Sequence, residues 1–269
     1  MSHRPRKRFG QHFLHDPGVI GRILDHVDPQ PNDTLVEIGP GLGALTRPLL
    51  ERAGRLHVVE IDRDVIEPLQ QTCEGAGELI VHNVDALSFD FASLAPAGGK
   101  IRLVGNLPYN ISTPLIFHVL EAADRIQDMT FMLQEEVVRR LAANPGGKDY
   151  GRLSVMAQYY CQVRYLFRVS RGAFQPPPKV ESAMVGLRPH PSPPVEVGDE
   201  ALFARVVATA FGQRRKTLRN SLKPLMDAAT IELAGIDPLQ RPERLELAEF
   251  AALSRAAAAQ PPPLEGEPE

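Results

Sequence analysis

At 269 residues, with 43% hydrophobic and 23% charged side chains, the chain has the make-up of a soluble globular protein with one large domain or a large and a small one. No apolar run approaches membrane-spanning length, and Met1-Ser2-His3-Arg4-Pro5-Arg6 holds no apolar segment of the signal-peptide kind, so a cytoplasmic protein without a membrane partner is expected. The net charge of −3 does not by itself suggest nucleic acid, and Cys73 and Cys161 stand in unrelated contexts that suit buried free thiols and supply no metal-ligand set.

The chain begins with a basic arm, Arg4, Arg6, Lys7 and Arg8, which carries no acid. Phe9-Gly10-Gln11-His12-Phe13-Leu14 is too apolar for a free tail and is expected to pack across the domain that follows. Asp16-Pro17 opens a helix, with Asp as cap and Pro in the first turn, running through Val19, Ile20, Ile23 and Leu24. Thr34 to Ile38 is a β-rich run that ends in Gly39-Pro40-Gly41-Leu42-Gly43, and Ala44 to Leu50 restarts with a helical pattern. Further strands are expected at Leu56–Glu60, Leu79–His82, Ile101–Val104 and Met129–Leu133, alternating with helices from Arg63 to Gln71, from Thr113 through Leu120, and from Glu135 to Ala142. That alternation predicts a parallel sheet covered on both faces, with ligands bound at the C-terminal ends of its strands.

Leu153 to Tyr160 reads as a helix, and Val163–Val169 and Ala183–Leu187 as two more strands separated by Phe174-Gln175-Pro176-Pro177-Pro178-Lys179-Val180. A composition shift at His190-Pro191-Ser192-Pro193-Pro194 marks a domain boundary. Residues 1–190 are expected to form the α/β domain and 191–259 a smaller helical one, with helices at Leu202–Phe211, Arg215–Leu222, Ile231–Ala234 and Leu247–Ala257. The Pro- and Glu-rich residues 260–269 are expected to be disordered.

The candidate site lies at the strand ends. The glycines of 39–43 let backbone approach a ligand closely, which nucleotides, flavins and adenosyl cofactors all exploit. Glu60, at the end of the second strand, is placed to accept from both hydroxyls of a ribose. Glu37 stands one residue before the turn, where a carboxylate tolerates a cationic ligand better than a pyrophosphate. Asp85, after the third strand, can accept from an adenine amine. Each carboxylate alone is explained more simply as a cap or turn residue, but three at successive strand ends describe adenosine near a positive charge. That ligand is S-adenosyl-L-methionine rather than a nicotinamide dinucleotide. The fourth strand leads into Asn106-Leu107-Pro108-Tyr109, which offers an amide, a carbonyl whose direction proline fixes, and an aromatic face. Those groups suit a flipped-out adenine, whose amine needs acceptors and whose ring needs a stacking partner.

Five segments carry a resemblance: Phe9–Leu14, Val36–Gly43, Gly105–Asn110, Pro176–Val180 and Phe211–Leu218 look like the ribosomal RNA adenine dimethyltransferase family, in order over about residues 8–255, and most like its bacterial small-subunit type. The resemblance implies a Rossmann-like S-adenosylmethionine-dependent methyltransferase with a smaller C-terminal helical domain that binds RNA or the ribosome. It places His12 and Leu14 at the methionine end of the cofactor, Gly39 on its backbone, Glu60 at the ribose, Asp85 at the adenine and Asn106 between cofactor and target. The family commonly has Asn at the position of His12, so a backbone contact there is the one that survives the change. The implied reaction is dimethylation of the N6 amine of two adjacent adenines in the 3′-terminal hairpin of 16S rRNA, within the small (30S) subunit or its precursor, by a monomer.

In the expected mechanism the Asn106 oxygen and the Pro108 carbonyl accept the amine hydrogens, Tyr109 stacks on one face of the base, and Phe174, by resemblance, lies on or beside the other. Arg6, Lys7 and Arg8 of the arm, with Arg214, Arg215, Lys216 and Arg219, are the candidates for gripping RNA phosphates. Three alternatives stand beside this one: a large-subunit rRNA adenine methyltransferase of the antibiotic-resistance type, a ribosome-assembly factor for which methylation is secondary, and a DNA-binding factor that kept only the fold.

Overall fold

A computed structural model of the chain describes residues 12–213 and 215–259. Arg6, Lys7, Arg8, Arg214 and the 260–269 tail lie outside the described residues. The chain divides into two compact units: Met1–Arg139 with Tyr160–Pro189, and Arg140–Tyr159 with His190–Glu269.

The first unit opens with the short strand β1 (Phe13–Leu14) and helix α1 (Pro17–Val27). Asp16 caps α1 by accepting from the amides of Gly18 and Val19, and the helix buries Ile23, Leu24 and Val27. Then follow β2 (Thr34–Ile38), α2 (Thr46–Ala53), β3 (Arg55–Val59), α3 (Ile66–Thr72), β4 (Glu78–His82), β5 (Ile101–Asn106), α4 (Ser112–Leu120), β6 (Ile126–Gln134) and α5 (Glu135–Leu141). After α6 (Arg152–Tyr160) the sheet resumes with β7 (Cys161–Val169), β8 (Phe174–Gln175) and β9 (Ser182–Pro189).

Seven strands form one sheet in the order β4-β3-β2-β5-β6-β9-β7. The strands from β4 to β6 run parallel, and β9 and β7 close the far edge antiparallel. Leu35, Val36 and Ile38 of β2, and Ile101, Leu103 and Val104 of β5, are buried, the near-continuous apolar pattern of strands covered on both faces. The strand order reverses beside β2: the chain steps outward through β3 and β4, then returns to pair β5 on the other side. At such a reversal the loops leaving the two strands part in opposite directions and leave a crevice at their C-terminal ends. Glu37 of β2 pairs Val58 on one side and Val104 on the other, so the glycine loop and the Asn106 tetrad flank that crevice.

Phe13 and Leu14 pair with Gln175 and Phe174 in a separate antiparallel ribbon, so this end of the N-terminal apolar segment packs across the domain as expected, while Phe9, Gly10 and Gln11 lie outside the described residues. Cys73 and Cys161 are buried free thiols.

The second unit contains α6, α7 (Glu200–Phe211), α8 (Leu218–Ser221), α9 (Ala228–Leu233) and α10 (Leu247–Ala258) around buried Phe203, Val206, Leu218, Leu222, Phe250 and Leu253. The boundary expected at 190 coincides with the start of its second segment, but residues 140–159, expected in the first domain, belong to this unit. Tyr159 packs against Phe203 with ring centroids 4.9 Å apart, and the Gln158 amide donates to the carbonyls of Leu141 and Ala143, so the segment's contacts are made within the helical unit.

The expected helix Arg215–Leu222 is also shorter than the sequence pattern suggests. The amides of Leu218 and Arg219 donate to the carbonyls of Gln240 and Pro238, which removes the partners that a helix would need for the carbonyls four residues earlier. Arg215 and Lys216 therefore lie in a turn before α8.

Candidate active site

A cavity of about 310 Å³ opens at the strand-order reversal. Every residue expected at the cofactor, His12, Leu14, Gly39, Glu60, Asp85 and Asn106, lines it, and so do Pro108 and Tyr109 of the tetrad.

The first wall is the glycine loop after β2. Gly39 and Gly41 have φ of 69° and 55°, in the left-handed region where a side chain is strained, and a Cβ on Gly41 would stand 3.0 Å from the Phe13 ring. Backbone can thus face the cavity directly. Glu37, buried just before the loop, has an Oε2 with no hydrogen-bond partner among the described residues. Burial raises its pKa from 4.5 to about 8; the Thr46 hydroxyl offsets part of that shift without reaching hydrogen-bond geometry, and Glu60 adds to it.

The second wall is the end of β3. Glu60 is 7% exposed, its Oε1 accepts from the Asp62 amide at 2.8 Å and its Oε2 from the Gly41 amide at 3.4 Å. Burial pushes its pKa up, and these backbone bonds oppose the shift. The two bonds fix the carboxylate plane while leaving lone pairs for a ligand. Asp85, after β4, accepts from the Leu87 amide through Oδ1 at 2.9 Å, which holds it as a turn residue with Oδ2 left to accept. Between these acids Ile61, Val84 and Ala86 form an apolar surface, with Ile61 47% exposed. The sequence reasoning missed Ile61 and Phe13. The available signal was an apolar residue immediately past a strand-end carboxylate, in a position where a turn would otherwise favour a polar side chain.

The third wall is the tetrad. Gly105 carries it close to β2, where a Cβ would meet the Ile38 carbonyl oxygen at 2.4 Å, and the Leu107 amide donates to the Met132 carbonyl at 3.1 Å. Asn106 Nδ2 donates to the His12 carbonyl at 3.0 Å, which assigns its Oδ1 as the acceptor left over. His12 therefore engages Asn106 through its backbone. The Pro108 carbonyl accepts from the Ile111 amide at 3.2 Å, so one of its lone pairs is used in the turn and one is left. The Tyr109 hydroxyl is hydrogen-bonded to Ser182 Oγ at 2.5 Å, and its ring stacks with His12 at a centroid distance of 5.6 Å.

Phe174 departs from expectation. It is 1% exposed and belongs to the apolar core with Leu14, Met184 and Val169, and it does not line the cavity. It pairs with Leu14 in the β1·β8 ribbon, and its ring is packed into the core with that residue instead of facing a base. Arg215, Lys216 and Arg219 are exposed on the helical unit.

The donor set fits an adenosyl sulfonium. A buried, unpartnered carboxylate oxygen suits a cationic group, Glu60 suits a diol, and an apolar strip ending in Asp85 suits a flat base bearing an amine.

The family described as "Ribosomal RNA adenine dimethylase" matches residues 2–258. The chain is 57% identical over 262 residues to "Ribosomal RNA small subunit methyltransferase A" of Pseudomonas fluorescens, covering 97% of each. It is 58% identical over 256 residues to the protein of the same name from Nitrosococcus oceani, covering 95% of this chain and 97% of that one. Among solved structures, a dimethyladenosine transferase from Plasmodium falciparum superposes with a TM-score of 0.75 at 27% identity, over 90% of this chain and 96% of the other. The 23S rRNA methyltransferase ErmE gives 0.69, also at 27%, over 91% and 99%.

Proposed function

The chain belongs to the ribosomal RNA adenine dimethylase family, and from that premise we propose how its residues perform the reaction. The protein is an S-adenosylmethionine-dependent methyltransferase that dimethylates adenine in 16S rRNA of the small ribosomal subunit. The large-subunit alternative has weaker support, since the small-subunit relatives are 57–58% identical and the 23S enzyme 27%.

We propose that His12, Leu14, Gly39, Glu60, Asp85 and Asn106 hold the cofactor, with Glu37 facing its cationic end. When bound, S-adenosylmethionine supplies an electrophilic methyl group. Adenine's exocyclic amine is a poor nucleophile because its lone pair is delocalised into the ring. Asn106 Oδ1 and the remaining lone pair of the Pro108 carbonyl accept the amine hydrogens, favour a pyramidal nitrogen and stabilise the positive charge that develops on it. Tyr109 stacks on the base, and because it lines the same cavity as the residues that would hold the cofactor it would keep the amine close to the methyl donor. The observation that carries this reading is the Asn106 amide, oriented by the His12 carbonyl so that an acceptor is left in the same cavity as Glu60 and Asp85. The exposed cluster Arg215, Lys216 and Arg219 grips RNA phosphates, since one flipped base supplies little affinity. The arm residues Arg6, Lys7 and Arg8 and the loop residue Arg214 are assigned the same role on charge alone. The targets are two adjacent adenines of the 3′-terminal hairpin, presented in a 30S subunit or its precursor to a cytoplasmic monomer.

The test is transfer of labelled methyl from S-adenosylmethionine to small subunits lacking this modification, with large subunits and free small-subunit RNA in parallel. Label confined to small subunits and recovered as dimethyladenine supports the reading. Label in large-subunit RNA selects the resistance type, and tight small-subunit binding without transfer makes the assembly role primary.

A further inference from the structure

We propose that Ser182 and the ring of His12 are positioning residues that hold Tyr109 as a fixed platform for the target base, one face of the phenol covered by His12 and the other left for adenine. The inference rests on the assignment of Tyr109 as the stacking partner.

Tyr109 is held at two points. Its hydroxyl is hydrogen-bonded to Ser182 Oγ at 2.5 Å, and its ring stacks with His12 at 5.6 Å between centroids and 30° between planes. Neither contact comes from a mobile surface group. Ser182 is fully buried, and it is anchored in two ladders, opposite Gln134 of β6 and Val169 of β7. His12 is fixed twice, its Nδ1 donating to the Pro176 carbonyl at 2.8 Å and its own carbonyl accepting from Asn106. A carbonyl can only accept, so the proton sits on Nδ1.

His12 thus couples two parts of the machinery: its backbone orients the acceptor Asn106, and its ring backs the platform Tyr109. A base cannot enter between the two rings, because two stacking distances of about 3.5 Å need centroids about 7 Å apart. Adenine is left the opposite face of Tyr109. A platform free to rotate would still admit the base but would lose the alignment of its amine, and misplacement of about 1 Å costs about 100-fold in rate.

The measurement is a double-mutant cycle on single-turnover methyl transfer to unmodified small subunits, alongside calorimetric binding of S-adenosylmethionine and the melting temperature. Ser182→Ala and Tyr109→Phe each cut the bond from one end, and each is expected to slow transfer about 10-fold with cofactor affinity within about 2-fold of wild type. The double variant is expected to be no slower than either single one. His12→Phe, which keeps a ring, is expected to retain more activity than His12→Asn, which keeps only the backbone contact. Multiplying effects in the double variant, unchanged rates in both singles, or a rate loss matched by loss of cofactor binding overturns the proposal. If Ser182→Ala does not fold, Tyr109→Phe decides alone by its rate at unchanged cofactor affinity. Absence of transfer by the wild-type protein defeats the underlying function instead.

Discussion

Asn106 and Glu37 show how one side chain can be set for chemistry by its neighbours. Asn106 spends its donor on the His12 carbonyl, so replacing it by Ala removes the acceptor and the strut together. Asn106→Ala is expected to reduce methyl transfer by at least about 100-fold, while cofactor affinity falls by less than about 10-fold; turnover within a few-fold of wild type would remove the residue from the chemistry. Glu37 makes a different prediction. With a folded pKa of about 8 against an ordinary 4.5, the folded protein holds a proton that the unfolded chain has released anywhere between those values. Stability of the cofactor-free protein therefore falls as pH rises through that window, by up to about 1.4 kcal/mol per pH unit from this group. Glu60, raised by burial too, contributes with the same sign. Glu37→Gln should flatten the pH dependence of urea unfolding between about pH 5.5 and 8, and an unchanged slope would place the ionisation elsewhere. Of these residue-level features, Glu37, Glu60, Asp85 and Asn106 were legible because each stands in the last positions of a β-rich run or just past it, and a polar group there stands out. Ser182 was not, since a serine beginning a strand has no signature until the fold brings Tyr109 to it.

At the level of elements, β-branched runs broken by glycine marked the parallel strands well, because strands buried on both faces must be apolar throughout. The short ribbon β1·β8 was less accessible. Phe9–Leu14 read as packing against something, but its partner is more than 150 residues away and only two residues long. That partner contains Phe174, whose motif suggested a base-stacking role and whose ring lies in the core instead. Phe174→Leu is expected to destabilise the protein by about 1 to 2 kcal/mol in urea unfolding through lost packing. Its transfer rate should fall less than that of Tyr109→Ala. A large rate loss at unchanged stability would return Phe174 to the base. The helix expected over Arg215–Leu222 failed for a related reason: propensity favours it, but the amides of Leu218 and Arg219 find carbonyls in a loop about 20 residues later.

On the scale of the molecule, a chain with a net charge of −3 must bind a polyanion through local clusters. Changing Arg215, Lys216 and Arg219 together to Gln should weaken small-subunit binding and lower the slope of log K against log salt by about 2. An unchanged slope would leave the cluster as a solvated surface. The sequence alone determined the doubly covered parallel sheet and the adenosyl character of the ligand, and it pointed to a division near residue 190 and to the acids proposed to contact that ligand. All of these follow from local patterns: hydrophobic period, glycine spacing and a polar residue at each strand end. Tertiary structure decided which of these groups share a cavity, because strand order brings Asn106 beside Glu37 while the sequence holds them 69 residues apart. It also decided that residues 140–159 belong with the helical unit, that the His12 carbonyl meets Asn106 while its ring meets Tyr109, and that Phe174 is core. Each of those outcomes depends on a partner distant in sequence, and composition and spacing carry no record of which distant groups compete for the same hydrogen bond or the same buried volume.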